Sequence, residues 1–334
     1  MNIYLFSIIV VFLSFLLNIL FIKNSFLMNK AGDLHQAYAG HTNIPLAGGI
    51  IIFFSMIISS FYGLNLILWS YATMAFIGFL SDLKKLNSPI IRFLLQLFII
   101  IFCVYSSNIL ITGTKIIFLD YLLKNYLFAI IFTSFCILII VNGSNFIDGI
   151  NSLAIGYYII ISVVLLLLQK DGFLISFNFT LNLLLACLLI LYFLNLFNKL
   201  YLGDSGAYLL GFLFSIELIN FYLQNIISPF FIITLLWYPA FENLFSILRK
   251  INFKKSPLAP DTNHLHQLIF IFLKKKNYSP LKANNITGIS INIYNGIIMI
   301  IAASNPAHTQ LQIILIMINL LIYTFLYMRL FKYR

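Results

Sequence analysis

Residues 126–169 read YLFAIIFTSFCILIIV, then NGSNFIDGIN, then SLAIGYYIIISVVLLLLQ: two apolar runs joined by ten residues that carry three asparagines and one aspartate. At about 1.5 Å per residue, roughly 20 apolar residues in a helix cross a ~30 Å hydrocarbon core, so each run with its neighbours is a candidate span. The pattern repeats outward in both directions. Segments at about 3–22, 45–62, 64–80, 90–106, 126–141, 152–169, 173–194, 207–223, 228–247, 287–303 and 311–330 are apolar enough to span. The chain of 334 residues is 62% hydrophobic and 9% charged, which leaves too little polar surface to cover a water-soluble globule. The expected fold is an all-α, polytopic transmembrane bundle of about eleven spans.

An odd number of spans places the termini on opposite sides, and the basic residues orient them. With the N-terminus outside and the C-terminus cytoplasmic, seventeen of the twenty lysines and arginines fall at cytoplasmic ends, leaving Lys115, Lys124 and Lys170 outside. The formal charge of +11 is thus read as a topology signal and an attraction to anionic lipid, with no nucleic-acid partner. The first run has no basic residue ahead of it and no small-x-small cleavage site after it, so it reads as a retained span. Cys103, Cys136 and Cys187 lie in apolar runs without zinc-like spacing and read as buried hydrophobes. No repeat or linker divides the chain, which reads as one membrane domain, 1–334. In the cytoplasmic loop 249–285, Pro257 and Pro260 precede an amphipathic helix of Leu265, Leu268, Ile269, Phe272 and Leu273.

There are only nine acidic residues, and four of them, Asp82, Asp148, Asp204 and Asp261, fall in separate cytoplasmic loops. Charge near bilayer depth is costly unless it faces water, a partner or an ion, so a one-sided gathering of carboxylates is a candidate site. Five polar stretches surround them. His41-Thr-Asn-Ile-Pro-Leu-Ala-Gly-Gly49 offers two glycines for close approach to a ligand or to a neighbouring helix. In Gly78-Phe-Leu-Ser-Asp82, followed by Leu-Lys-Lys-Leu-Asn-Ser88-Pro89, the aspartate either serves a site or pairs with Lys84 or Lys85, while Ser88 and Pro89 open the fourth span. If helical, Asn142, Asn145, Asp148 and Asn151 form an i, i+3 ladder suited to a base or sugar edge, or equally to an interhelical seam. In Gly203-Asp204-Ser205-Gly206, Asp204 is placed as a helix N-cap or as a ligand for Mg²⁺. In Asp261-Thr-Asn-His264-Leu-His266-Gln267, the histidines would diverge by about 200° on a helix but point the same way in an extended loop. With Arg249, Lys254 and Lys255 nearby they suit anionic phosphate better than zinc.

In this order and on one side, the five stretches resemble the motifs of the polyprenyl-phosphate N-acetylhexosamine-1-phosphate transferases, over about residues 40–270. The ten or eleven spans of that family agree with the count above. The resemblance implies attack by a polyprenyl-phosphate oxygen on the β-phosphorus of a UDP-sugar, with release of UMP and a requirement for Mg²⁺, Mn²⁺ being an alternative. It implies Asp204 as metal ligand, and Asp82, Asp148, His264 and His266 as catalytic residues. It further implies that His41, Asn142, Asn145, Asn151, Gly203 and Asp261 bind substrate. Three positions depart from the family pattern: Ser81 stands where a pair of aspartates is usual, Asn151 where a second acid is common, and Gln267 where a further histidine is frequent. The histidine stretch is closer to the branch that starts surface glycans than to the phospho-MurNAc-pentapeptide branch, so a UDP-N-acetylhexosamine donor and an undecaprenyl phosphate acceptor are expected. The expected location is the bacterial inner membrane with the site at its cytoplasmic face, and a homodimer is among the expected assemblies. The rival from another class is a transporter or flippase, for which Glu217 and Glu242 are the only acids a relay could recruit.

Overall fold

The computed structural model describes residues 3–29, 43–59, 66–175, 178–252, 254, 256 and 263–333. Among these, thirteen helices account for the architecture: α1 (Ile3–Lys23), α2 (Gly48–Ser59), α3 (Leu66–Asp82), α4 (Pro89–Ser107), α5 (Ile117–Leu123), α6 (Tyr126–Ile147), α7 (Leu153–Lys170), α8 (Asn178–Leu196), α9 (Gly203–Gln224), α10 (Pro229–Asn252), α11 (Leu265–Lys275), α12 (Pro280–Ala303) and α13 (Thr309–Phe331). The only extended pairing among the described residues is a bridge between Met28 and Pro45. Seven helices, α4, α6, α7, α9, α10, α12 and α13, are long and apolar enough to cross a membrane, and α1, α2, α3 and α8 contain shorter apolar stretches. The two remaining helices are α5, a short turn within the stretch expected as an outside loop, and α11, the amphipathic helix expected within 249–285.

Apolar side chains turned outward mark the lipid-facing surface. Phe98 on α4, Ile131 on α6, Ile297 on α12 and Leu321 on α13 are all exposed, as expected where the solvent is hydrocarbon. The helix at the centre is α9, almost wholly enclosed, with α3 and α6 as its principal neighbours and α2 beside it. Association in lipid depends on close backbone approach. A Cβ on Gly78 of α3 would lie 2.3 Å from the Ser205 Cα, and one on Gly49 of α2 would lie 2.3 Å from the Gly206 nitrogen. Gly49 of the first polar stretch therefore serves packing, and this contact seats the start of α9 against α2 and α3.

Beside this core, α10 packs on α6 and carries Pro239 in its interior. Proline has no N–H to give to the carbonyl four residues back, and an unpaired carbonyl is costly in an apolar medium. The Tyr157 hydroxyl of α7 supplies the missing bond, donating to the Leu235 carbonyl oxygen at 2.7 Å. Polar side chains tie the outer helices in the same way: the Trp237 indole donates to Asn295 Oδ1 at 2.7 Å, joining α10 to α12, and the Tyr294 hydroxyl donates to Asn319 Oδ1 at 2.6 Å, joining α12 to α13.

Candidate active site

A helix begins with backbone N–H groups that have no partner within it. At the start of α9 the cap position is Leu202, which offers no side-chain acceptor, and Gly203 follows at φ 77°, in the left-handed region that favours glycine. The acceptors come from other helices. Asp82, the last residue of α3, takes the Asp204 N–H on Oδ1 at 2.9 Å and the Ser205 N–H on Oδ2 at 3.1 Å. Asp148, at the C-terminal cap of α6, lies near the Gly203 N–H, which favours its charged form. Two carboxylates distant in sequence thus meet at one helix N-terminus, where partial positive charge favours them. The expectation that Asp204 itself is the N-cap is corrected: it lies in the first turn, and its side chain turns away.

Asp204 Oδ2 accepts from the Ser81 hydroxyl at 2.5 Å and from Arg92 Nη1 at 2.9 Å, and the same Nη1 donates to Ser81 Oγ at 2.7 Å. Arg92 belongs to the first turns of α4, whose start is fixed as expected: Pro89 sits in the first turn and Ser88 Oγ accepts from the Ile91 N–H at 3.4 Å. Ser81, standing where an acid is usual in the family the chain resembles, is therefore the hydroxyl link between a cation and the Asp204 carboxylate. Arg92 escaped the sequence reading because it was counted only as a topology charge. Burial, then the charges of Asp204 and Asp82, push the Asp148 carboxyl well above the usual carboxylate range, and the Gly203 N–H offsets only part of this.

The amide ladder divides. Because α6 ends at Ile147, only Asn142 and Asn145 are helical, and the single face foreseen over four residues does not continue. Asn142 Nδ2 donates to Gln96 Oε1 of α4 at 3.2 Å, and Asn145 Nδ2 to the Tyr208 hydroxyl of α9 at 3.4 Å. Asn151 is buried: its backbone N–H donates to Asn284 Oδ1 at 2.7 Å and its side chain bonds to Asn198. Those contacts are the interhelical seam, and of the four it is Asp148 on which the charges of Asp204 and Asp82 act.

A second cluster lies at the start of α11. His264 is its extended N-cap residue and His266 is in its first turn, so the two rings stack in parallel, with centroids 5.4 Å apart, instead of diverging. The anchor is Glu242 of α10, a fully buried acid that the sequence reading considered only as a relay. His264 Nδ1 lies 2.9 Å from Glu242 Oε2, His266 Nδ1 lies 3.6 Å from Oε1, and the Leu265 N–H donates to Oε1 at 3.1 Å. The outer face of the His264 ring meets Phe146, two residues before Asp148, with centroids 5.0 Å apart. His266 is fully enclosed, and burial pushes its imidazole down in pKa against the pull of Glu242. As folded here it offers no ring nitrogen to a ligand. The signal that could have identified Glu242 was its cost, since an acid inside an apolar run needs partners, and two histidines without assigned partners lay 22 and 24 residues on.

His41 and Asp261 lie outside the described residues. Among the described residues no three His, Cys, Asp or Glu side chains are placed to hold a metal. The Asp204 carboxylate, with the charges of Asp82 and Asp148 near it and Arg92 as its cationic partner, is the kind of donor a hard divalent cation takes.

The helical bundle thus carries three carboxylates and a buried histidine pair at the ends of its helices. Residues 64–222 match the sequence model of glycosyl transferase family 4. The match takes in Ser81, Asp82, Arg92, Asp148 and Asp204. The chain is similar to the probable undecaprenyl-phosphate N-acetylglucosaminyl 1-phosphate transferase of Bacillus subtilis, 29% identical over 59% of this chain and 55% of the relative. It is also similar to the undecaprenyl-phosphate alpha-N-acetylglucosaminyl 1-phosphate transferase of Escherichia coli K12, 27% identical over 68% of this chain and 65% of the relative. A third relative is the phospho-N-acetylmuramoyl-pentapeptide-transferase of Clostridioides difficile, 28% identical over 54% of this chain and 61% of the relative. The chain spans between about half and two thirds of the length of these curated relatives.

Proposed function

We propose that this protein transfers an N-acetylhexosamine-1-phosphate from a UDP-sugar to undecaprenyl phosphate at the cytoplasmic face of a bacterial inner membrane, starting a lipid-linked surface glycan. The observation that carries the reading is the convergence of Asp82, Asp148 and Asp204 on the first turn of α9, at the ends of apolar helices. The names of the two N-acetylglucosaminyl transferase relatives support the choice of donor and acceptor. In this reading the seven long apolar helices and the four shorter ones are eleven spans with the N-terminus outside, which would set these residues on one side of the membrane. A homodimer is compatible with this arrangement.

In the proposed reaction an oxygen of the lipid phosphate forms a bond to the β-phosphorus of the donor. The pyrophosphate bond breaks, its electron pair goes to the α-phosphate, and UMP leaves. Asp204 would hold Mg²⁺, with Mn²⁺ as a substitute, and the ion would neutralise charge on the pyrophosphate oxygens. Asp82 keeps the start of α9 in place and thereby Asp204. Asp148 and Asn145 orient the nucleotide sugar, with Gly203 allowing close approach. Arg92, held by Ser81, balances the carboxylates until substrate phosphates arrive. His264 contacts the phosphates, and His41 and Asp261 complete substrate binding, whereas Asn142 and Asn151 maintain the walls.

The test is incubation of the purified protein with undecaprenyl phosphate, Mg²⁺ and a panel of UDP-N-acetylhexosamines and UDP-MurNAc-pentapeptide. UMP released from an N-acetylhexosamine donor only when lipid and metal are both present supports the reading. No UMP from any donor, by folded and monodisperse protein, rejects it, and UMP from the pentapeptide donor alone would assign the protein to the peptidoglycan branch.

A further inference from the structure

The Glu242 carboxylate gathers donors from two chain segments and distributes them unequally between its oxygens. Oε1 receives the Tyr238 hydroxyl at 3.1 Å and the Leu265 N–H at 3.1 Å, and faces His266 Nδ1 at 3.6 Å. Oε2 faces His264 Nδ1 at 2.9 Å. Tyr323 of α13 also faces this acid, and Arg249 lies farther along α10, stacked between Phe245 and Tyr327 with its guanidinium 5.4 Å from each ring centre. An ionised carboxylate can only accept, so the proton of the His264–Glu242 bond must reside on Nδ1.

We propose that Glu242 is a positioning residue that holds the proton of His264 on Nδ1, fixes the ring plane against Phe146 and His266, and thereby turns the Nε2 lone pair to the acceptor phosphate, from whose P–OH it takes the proton as a phosphate oxygen attacks. This rests on the transferase reading and adds to it the group that determines which histidine nitrogen works. Burying an acid among helices is costly, and capping the Leu265 N–H of α11 occupies only Oε1, so the cap does not account for the 2.9 Å contact of Oε2 with His264 Nδ1. What the buried carboxylate adds is a fixed tautomer and orientation, the service a buried carboxylate renders a histidine in hydrolase triads.

The unequal distribution makes an isosteric test decisive. In Glu242→Gln the amide oxygen is drawn to the Oε1 position, where Tyr238 and Leu265 donate, so the amide NH₂ takes the Oε2 position and donates to His264 Nδ1. The proton then moves to Nε2, the wrong nitrogen. The chain has five histidines, so selective ¹⁵N-histidine labelling of the full-length protein in detergent, with His264→Asn for assignment, reports the protonated nitrogen directly. The expected wild-type spectrum has His264 protonated at Nδ1, and in Glu242→Gln that signal is lost in favour of Nε2–H. The expected kinetic effect is a fall in kcat of about 10²- to 10⁴-fold with less than about threefold change in KM for either substrate, the scale of a wrong tautomer at a triad histidine. A wild-type His264 protonated only at Nε2 would overturn the proposal, and this holds even if the variant does not fold. So would a Glu242→Gln variant with wild-type kcat. An inactive wild type with the expected Nδ1 signal would instead count against the transferase reading and leave the positioning intact.

Discussion

Replacing Asp82 with asparagine separates its place in the fold from any place in the chemistry. Its two oxygens take the N–H groups of Asp204 and Ser205 at 2.9 and 3.1 Å. Asparagine keeps one acceptor oxygen and sets an NH₂ group against the other donor. Leaving one enclosed N–H unpaired costs about 1–3 kcal/mol, and removing the charge from the helix N-terminus costs about 0.3–1 kcal/mol more. Relief of repulsion among Asp82, Asp148 and Asp204 returns part of this, so a net loss of about 1–3 kcal/mol is expected. Reversible unfolding in mixed micelles, followed by the fluorescence of Trp69 and Trp237, measures it, with Asp204→Asn as the comparison because that carboxylate accepts only side-chain donors. If Asp82→Asn unfolded at the wild-type midpoint, the capping argument would fail, and any loss of activity would have to be assigned to chemistry alone.

Two further outcomes follow from the same charges. The Asp148 carboxyl is raised above the value of about 3.9 expected in an unfolded chain, so its folded form is favoured while protonated and loses that advantage as pH climbs from there through the folded pKa. Asp148→Asn should therefore unfold at a higher temperature than wild type at neutral pH, with the gap shrinking as pH approaches 4, while activity is lost; thermal scans across pH would show no such convergence if the carboxylate were unstrained. Mg²⁺ at about 100 times its Kd should stabilise the wild type by about 2.7 kcal/mol and leave Asp204→Asn unmoved. Equal shifts in the two proteins would remove Asp204 as the ligand, and a chelator should abolish the wild-type shift.

The helices were legible because their composition leaves little choice: runs such as 126–141 and 311–330 match α6 and α13 within a few residues at most ends. The motif positions of Asp82, Asp148 and Asp204 were legible too, since few acids occur in the chain and each neighbours a glycine, an amide or a hydroxyl. What could not be read was the pairing across helices. Ser81, Arg92 and Glu242 acquire their roles only when α3, α4, α9, α10 and α11 are placed together. Asn142 and Asn151 carry amides suited equally to a sugar or to another amide, and only packing assigns them to Gln96, Asn198 and Asn284. The acids available to a transport relay are tied up as well, Glu217 to the Tyr71 hydroxyl at 3.2 Å and Glu242 to the histidines.

The central claim is that a sugar moves together with its phosphate, and the most direct test follows that phosphorus atom. With UDP-N-acetylglucosamine labelled with ³²P at the β-phosphate, undecaprenyl phosphate and Mg²⁺, the account predicts label in the lipid extract, equimolar release of unlabelled UMP, and loss of both in Asp204→Asn. Sugar in the lipid extract with the label left behind in UDP would contradict it, since the bond broken would then be the glycosidic one.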